Sequence, residues 1–483
     1  MENSSSKKKV LSGMFWKFGE RFCAQFVTLI VSIVLARLLE PDHYGAVSII
    51  LVFINIANVF VTESFSAALI QKKDADNVDF STIFYFNILF SIGLYGIIYF
   101  TAPWIGKFYD MPQLCGAMRV LALKLPISAI YSVQQAYVSR HMLFKKFFFV
   151  TIIGTVASAA VGIAMAYKGF GVYALIGQYL TNSVIGTVAL WIAVRWRPVW
   201  AFSFQKFKGL FSYGWKVLLS ALLRTLYTDI YSLVIGKKYT SEDLAFYSKG
   251  KHYPQLIINN VNTTISSVMF PALSKHQEDK KKLCQMMRRS IKTSSYILSP
   301  LMIGMAVVAK PLVSLVLTDK WLPCVPFLQI ACIALLLQPM QSANLQAIKA
   351  VGRSDLMLKL EIIKRATGVV ILIVTMQFGV VAIAWGSVLT AVVASLLNAM
   401  PSKKLLGYKY SQQIADLVPN FLLSIAMGAV VHLAGYIKIG KLMLLITQVL
   451  LGFVTYILLS VVTKNENLKY ILATIKGYGK RKI

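Results

Sequence analysis

The sequence predicts an all-α polytopic membrane protein with about fourteen transmembrane helices. Three observations predict it. First, 57% of the 483 residues are hydrophobic and only 14% are charged, with a mean hydropathy of +0.65. A soluble domain holds roughly half apolar and about a quarter charged residues, so this chain could not cover itself with a polar surface. Second, the apolar residues gather into runs of the length that crosses a hydrocarbon core about 30 Å thick. Third, 50 Lys and Arg stand against 19 Asp and Glu, and they cluster in alternate connectors, as orienting charges do. A soluble enzyme, a secreted disulfide scaffold and a disordered hub are excluded together. Alternating ten-residue strands are missing, which excludes a β-barrel.

Taken in chain order, the runs fall at 14–39, 45–70, 80–102, 117–138, 147–167, 170–194, 213–236, 244–273, 291–317, 325–349, 358–377, 379–400, 414–437 and 441–463. The polar start Ser4 to Lys9 precedes an apolar run too long for a signal-peptide core, so no cleavable leader is expected. With the N-terminus in the cytoplasm, the inner side holds 31 basic residues and the outer side 10, those at span ends included. This asymmetry predicts both termini inside. The net charge of +31 then reads as orientation in the membrane, with no nucleic acid as partner. Cys23, Cys115, Cys284, Cys324 and Cys332 show no CxxC spacing; free thiols are expected, with neither a disulfide framework nor a metal site.

Two connectors carry amphipathic patterns. In 202–211, Phe202, Phe204, Phe207, Leu210 and Phe211 alternate with Gln205, Lys206 and Lys208. Near the C-terminus, Leu468, Ile471, Leu472 and Ile475 recur beside Lys469 and Lys476. Both fit helices lying on the inner leaflet. The first lies midway along the chain, between two stretches that echo each other. Gly13-Met14-Phe15-Trp16-Lys17 and Pro41-Asp42-His43-Tyr44-Gly45-Ala46 find counterparts in Tyr213-Gly214-Trp215-Lys216 and Ser241-Glu242-Asp243-Leu244-Ala245-Phe246-Tyr247. The expected organisation is an N-terminal lobe 1–200 (helices 1–6), an interfacial linker 201–212 and a C-terminal lobe 213–400 (helices 7–12). Two extra helices at 414–463 and a cytoplasmic tail 464–483 follow. Two like six-helix bundles related by an axis along the membrane normal leave a cleft, which is a transporter architecture.

A basic side chain at mid-bilayer costs about 2.5–3.5 kcal/mol on insertion scales, so cations inside spans call for a reason. Arg21 in the first span and Arg224 in the seventh are candidates for an anionic headgroup. So are Lys249 and Lys251, at the start of the eighth. Guanidinium and ammonium groups match phosphate oxygens. Glu20, Glu63, Asp229 and Gln25 are cavity or coupling candidates. Pairing of Glu20 with Arg21, or Asp229 with Arg224, would instead only cement helices, and both readings stay open. Arg119 and Lys124 in the fourth span are either snorkelling or functional. Pro126, Pro254, Pro300 and Pro339 favour kinks. No nucleotide loop, GxSxG or HExxH occurs, so no catalytic residue, cofactor or metal is expected and the protein reads as a non-enzyme.

The stretch Gly13-x-x-Trp16, then Ile33-Val34-Leu35-Ala36-Arg37-Leu38-Leu39-Glu40-Pro41-x-x-Tyr44-Gly45, then Ala67-Ala68-Leu69-Ile70-Gln71, resembles bacterial polysaccharide flippases of the Wzx type. Within these it is similar to the exopolysaccharide, colanic-acid-like and teichuronic-acid-like branch of the multidrug/oligosaccharidyl-lipid/polysaccharide exporter superfamily. The resemblance implies two six-helix lobes in a V around a central cavity, with two further helices. It implies alternating access that moves an undecaprenyl-pyrophosphate-linked oligosaccharide from the inner to the outer leaflet for surface polysaccharide assembly, beside glycosyltransferases and a polymerase. In the related lipid II flippase, arginines on the first, second and eighth spans meet the pyrophosphate. Arg21 matches the first, Lys249 or Lys251 falls near the eighth, and the second span offers only Glu63. A cation-coupled multidrug exporter is the alternative in transport. A membrane glycosyltransferase or polymerase would want a long outer loop, which the sequence lacks.

Overall fold

Helices dominate a computed structural model of the chain, which describes residues 2–62, 64–72, 74–276, 278–437 and 439–480. Two compact units form, Met1–Ala245 and Phe246–Ile483. In the first, α1 runs over Glu2–Leu38, α2 over Pro41–Thr62, α3 over Ser64–Gln71 and α4 over Asn77–Phe108. Then come α5 (Gln113–Ala122), α6 (Lys124–Arg140), α7 (Phe144–Tyr167), α8 (Val172–Ala193) and α9 (Phe204–Lys238). α10 (Ser241–Ser274) carries the chain into the second unit, which continues with α11 (Lys280–Val307), α12 (Ala309–Val316) and a short 3-10 turn at Asp319–Cys324. It closes with α13 (Val325–Leu335), α14 (Gln338–Ala350), α15 (Ser354–Thr375), α16 (Val380–Leu406), α17 (Tyr410–Ala434), α18 (Lys441–Val462) and α19 (Glu466–Lys480).

Among the described residues, ten helical stretches are long and apolar enough to cross a membrane, and two further pairs qualify if each bent pair is one span. The chain is a multi-pass α-helical membrane protein. The expected spans 244–273 and 358–377 are present as α10 and α15, but polar groups interrupt both. Lys249, Lys251, His252 and Asn259 lie within α10, and Lys359, Glu361, Lys364 and Arg365 lie within α15.

Proline dictates where the spans break. α5 ends at Ala122, four residues before Pro126; α11 ends at Val307, four before Pro311; α13 ends at Leu335, four before Pro339. In each case proline lacks the N–H that would reach the i−4 carbonyl, and its ring crowds that carbonyl. The axes bend by 69° at the second break and 40° at the third. α11 runs on through Pro300. The bend of the 291–317 span comes instead from Pro311, which the sequence reading passed over.

In the first unit α1 packs along α7, and α7 along α8. Gly154 and Gly186 allow that last approach: a Cβ on Gly154 would already touch the Gly186 backbone at 3.4 Å. An aromatic cluster joins Phe65 of α3, Phe80 and Phe84 of α4, Phe147 of α7, Trp196 and Leu210. It fixes the connector before α9. Gln134 donates to the Trp196 carbonyl at 3.0 Å, and the Ser203 N–H donates to Thr82 Oγ1 at 3.1 Å. The amphipathic stretch 202–211 is therefore not a separate helix: Ser203 caps α9 and the helix runs unbroken into the next span.

The second unit is held by buried polar pairs. Asp416 of α17, 5% exposed, accepts from Arg288 of α11 at 2.6 and 2.9 Å and from Tyr408 at 2.6 Å. Asn344 of α14 donates to Gln413 at 2.7 Å and accepts from Ser402 at 2.5 Å. The C-terminal amphipathic pattern forms α19, and its Leu468 and Ile471 pack against Tyr296, Leu423, Met427 and Tyr456. All five cysteines are free.

Candidate functional site

Within the first unit, α2, α3, α6, α7 and α8 line a half-open cavity of about 510 Å³, inside the range of small-molecule sites. Most of its lining residues carry a hydroxyl or an amide, with apolar surface between them. Asn58 and Thr62 come from α2, Ser66 from α3, Ser128 and Tyr131 from α6, Thr151 from α7, and Asn182, Ser183 and Thr187 from α8. Several hydroxyls serve their own helix: Thr62 donates to the Asn58 carbonyl at 2.9 Å, and Thr187 to the Ser183 carbonyl at 2.7 Å. Two acceptors do not. Asn58 Oδ1 and Thr151 Oγ1 are buried with no hydrogen-bond partner, a costly state for a polar atom.

Lys124 is the charged residue of this wall. The Pro126 break puts it there, because Lys124 is the first residue of α6 after α5 has stopped. Its ammonium lies 5.7 Å from the Tyr179 ring centre, a cation–π contact. The sequence reading left Lys124 between snorkelling and function; Pro126, two residues on, ends the preceding helix and turns a mid-span position into a helix start.

The sequence candidates lie elsewhere. Arg21 is exposed on α1, with Gln25 half-buried one turn on. Glu20 is 9% exposed and accepts from Lys17 at 2.8 Å, not from Arg21. Residues three apart share a helix face while neighbours diverge, so that pairing was readable from spacing. Lys17 also lies 4.5 Å from the Phe147 ring centre. Glu63 lies outside the described residues. On α9, Arg224 is exposed and Asp229 half-buried. In the second unit Lys249, 7% exposed, lies 5.6 Å from the Trp321 ring centre, and Lys251 lies 5.6 Å from that of Tyr247. Among the described residues lining the cavity, none of Arg21, Arg224, Lys249 and Lys251 appears.

The two echoing turns of the sequence meet within the first unit. Ser241 Oγ donates to Asp42, and Gly45 lies so close to the Ser241 backbone that no side chain fits between them.

Comparison with known proteins gives this architecture its family. The chain is 26% identical over 437 residues to the teichuronic acid biosynthesis protein TuaB of Bacillus subtilis (strain 168), covering 88% of this chain and 89% of that protein. It is 23% identical over 443 residues to the lipopolysaccharide biosynthesis protein WzxC of Escherichia coli (strain K12), covering 91% and 90%. Its fold resembles that of the lipid II flippase MurJ in an inward-closed conformation, with a TM-score of 0.77 at 13% identity over 94% of this chain and 100% of that one. A model of the family described as polysaccharide biosynthesis protein matches residues 34–326, more than half of the chain. With its helical order and the Leu35-to-Gly45 motif inside that match, the chain belongs to the polysaccharide biosynthesis protein family.

Proposed function

We propose that this protein is a flippase for a lipid-linked oligosaccharide. It carries the repeat unit, on undecaprenyl pyrophosphate, from the inner to the outer leaflet of the cytoplasmic membrane by alternating access. The observation that carries the reading is the polar cavity with Lys124 in a bundle whose outer faces are apolar. A sugar headgroup cannot cross hydrocarbon bare, since each unpaired hydroxyl costs several kcal/mol there. A wall of hydroxyls and amides replaces water for it. Family membership and the flippase fold of the solved neighbour support the same reading.

In this reading α10 and α15 also span the bilayer, giving fourteen spans with both termini in the cytoplasm. Arg21 and Arg224 receive the diphosphate, Lys249 and Lys251 add positive potential, and Glu20, Glu63, Asp229 and Gln25 take part in lining or coupling. A multidrug exporter for cations would want carboxylates where this cavity presents an ammonium.

Depletion in cells tests it. Lipid-linked oligosaccharide accumulates on the cytoplasmic leaflet and surface glycan falls. Normal surface glycan with altered drug susceptibility would overturn the flippase. The Arg21→Ala, Arg224→Ala double variant, present at normal level, exports less glycan; unchanged export would remove those two residues from the diphosphate role.

A further inference from the structure

Within the second unit, α11, α17, α18 and the start of α19 line another half-open cavity, about 720 Å³ in volume. One wall is apolar: Leu422 and Ala426, one turn apart and exposed on α17, join Leu459 of α18. The rim is charged, with Lys292, Lys464 and Glu466. It follows directly on α18, an apolar helix of 22 residues, so it lies at the depth of phospholipid headgroups. Asp416 also lines the cavity, but its charge is taken up by Arg288 at 2.6 and 2.9 Å and by Tyr408 at 2.6 Å.

The two rim cations lack a tight partner among the described residues. The Lys292 ammonium stands 3.5 Å from Asp416 and 3.7 Å from Glu466, too far for a good hydrogen bond to either. Lys464 is exposed and holds the left-handed conformation, at φ 50°. It ends α18 in a Schellman turn, in which the Lys464 N–H donates to the Val461 carbonyl at 3.0 Å and the Asn465 N–H to the Ser460 carbonyl at 2.9 Å. Glycine is the usual residue there, because it takes that conformation without strain. The fold alone does not account for a lysine at this turn.

Two ammonium groups and a carboxylate beside an apolar wall are the complement of a zwitterionic lipid headgroup. A phosphodiester fits between Lys292 and Lys464. A primary amine has N–H groups to donate to Glu466, whose side chain is 77% exposed, and a choline has none. Free phosphate would leave the apolar wall and the carboxylate unused, and phosphatidylglycerol would bring Glu466 no cation. We infer that this cavity holds a phosphatidylethanolamine molecule of the bilayer, its phosphate on Lys292 and Lys464, its ammonium on Glu466 and its acyl chains along Leu422 and Ala426. The lipid ties the turn before α19 to α11, a role separate from that of the carried substrate.

The test reconstitutes the full-length protein in nanodiscs of phosphatidylcholine mixed with phosphatidylethanolamine or with phosphatidylglycerol. Native mass spectrometry then weighs the lipid retained on the detergent-extracted protein. Wild type is expected to retain phosphatidylethanolamine in preference to both others. Lys464→Gly weakens that retention by about tenfold or more, the usual loss for a hydrogen bond to a charged group. Its unfolding temperature in detergent without lipid holds or rises, because glycine suits the turn. Glu466→Gln still retains phospholipid but no longer prefers ethanolamine over choline. Equal retention of phosphatidylcholine by wild type overturns the site, as does a preference for phosphatidylglycerol, in which the amine goes unread. Unchanged retention in Lys464→Gly overturns it too, and a lowered lipid-free unfolding temperature in that variant would assign the lysine to the turn itself. Displacement of the retained lipid by undecaprenyl phosphate at equal concentration would overturn it by giving the groove to the substrate's carrier.

Discussion

Replacing Gly45 by alanine should damage the first unit out of proportion to the single methyl added. Gly45 is buried in α2, and a Cβ built there meets the Ser241 carbonyl oxygen at 1.9 Å and its carbon at 2.5 Å. Ordinary contact begins near 3.4 Å, so one backbone must retreat from the other by about 1.5 Å. No rotamer change relieves the clash, because the obstacle is main chain. Overpacking typically costs about 1–3 kcal/mol, and a backbone obstacle places this case at about 3. Alanine's better helix propensity returns about 1 kcal/mol, leaving a net loss near 2. In a unit of this size that lowers the melting temperature by about 4–8 °C. The retreat also breaks the Ser241–Asp42 hydrogen bond. Thermal unfolding of the purified protein measures it, with Gly93→Ala as the control, since a Cβ there meets nothing within 4 Å. Gly93→Ala should hold or raise the melting temperature. A Gly45→Ala protein that melts with or above wild type would refute the argument from close approach.

Other expectations follow from the same packing logic. Asp416→Ala leaves Arg288 and Tyr408 without their shared acceptor; because the Arg288 side chain is 50% exposed, the loss should be about 3 kcal/mol, the low end for a broken buried pair, read as a lowered unfolding midpoint. Asn420→Leu removes the amide that donates to the Lys292 carbonyl and Ser295 and accepts from Asn465 and Asn467; hydrogen exchange within α19 should rise, and unchanged protection would show that Leu468 and Ile471 alone hold the helix. Pro126→Ala restores the N–H that can reach the Ala122 carbonyl, so the protein should become more thermostable; an unchanged or lowered unfolding midpoint would show that the break between α5 and α6 does not depend on the proline.

Much of the fold was legible because hydrocarbon imposes a length and a polarity that few other environments impose. Among the described residues each apolar run coincides with helix, and two of them fall on helix pairs bent by 69° and 40°, because apolar length survives a bend. The breaks were less legible. Pro103, Pro401 and Pro419 sit inside continuous helices, whereas Pro126, Pro311 and Pro339 end them, so the residue type alone does not decide. Within 202–211, Phe207 and Phe211 turn toward Phe65, with ring centres 5.8 and 6.3 Å away, while Phe202 and Phe204 stay exposed, so the amphipathic pattern is divided between core and surface. The candidate site was the hardest to see. Mid-span arginines drew attention by cost, whereas the cavity is built mainly from Ser, Thr and Asn on five helices, and no local pattern joins residues as distant as 58, 124, 151 and 182.

Lys124, Lys310 and Gln338 each lie within two residues before a breaking proline. Such company accompanies a break without being enough to cause one, since Pro254 and Pro300 stay inside α10 and α11 although His252 and Ser299 precede them. A helix that stops in mid-span strands carbonyls that hydrocarbon cannot satisfy. A charged or amide side chain beside the stop brings donors or holds water there, so the break costs less and persists. The break and the polar side chain are then one device: proline opens the span, and the residue before it both stabilises the opening and faces whatever enters. At Pro126 that residue is Lys124, which is how an ammonium comes to stand in the wall of a cavity while the rest of its span stays apolar enough to remain in the membrane.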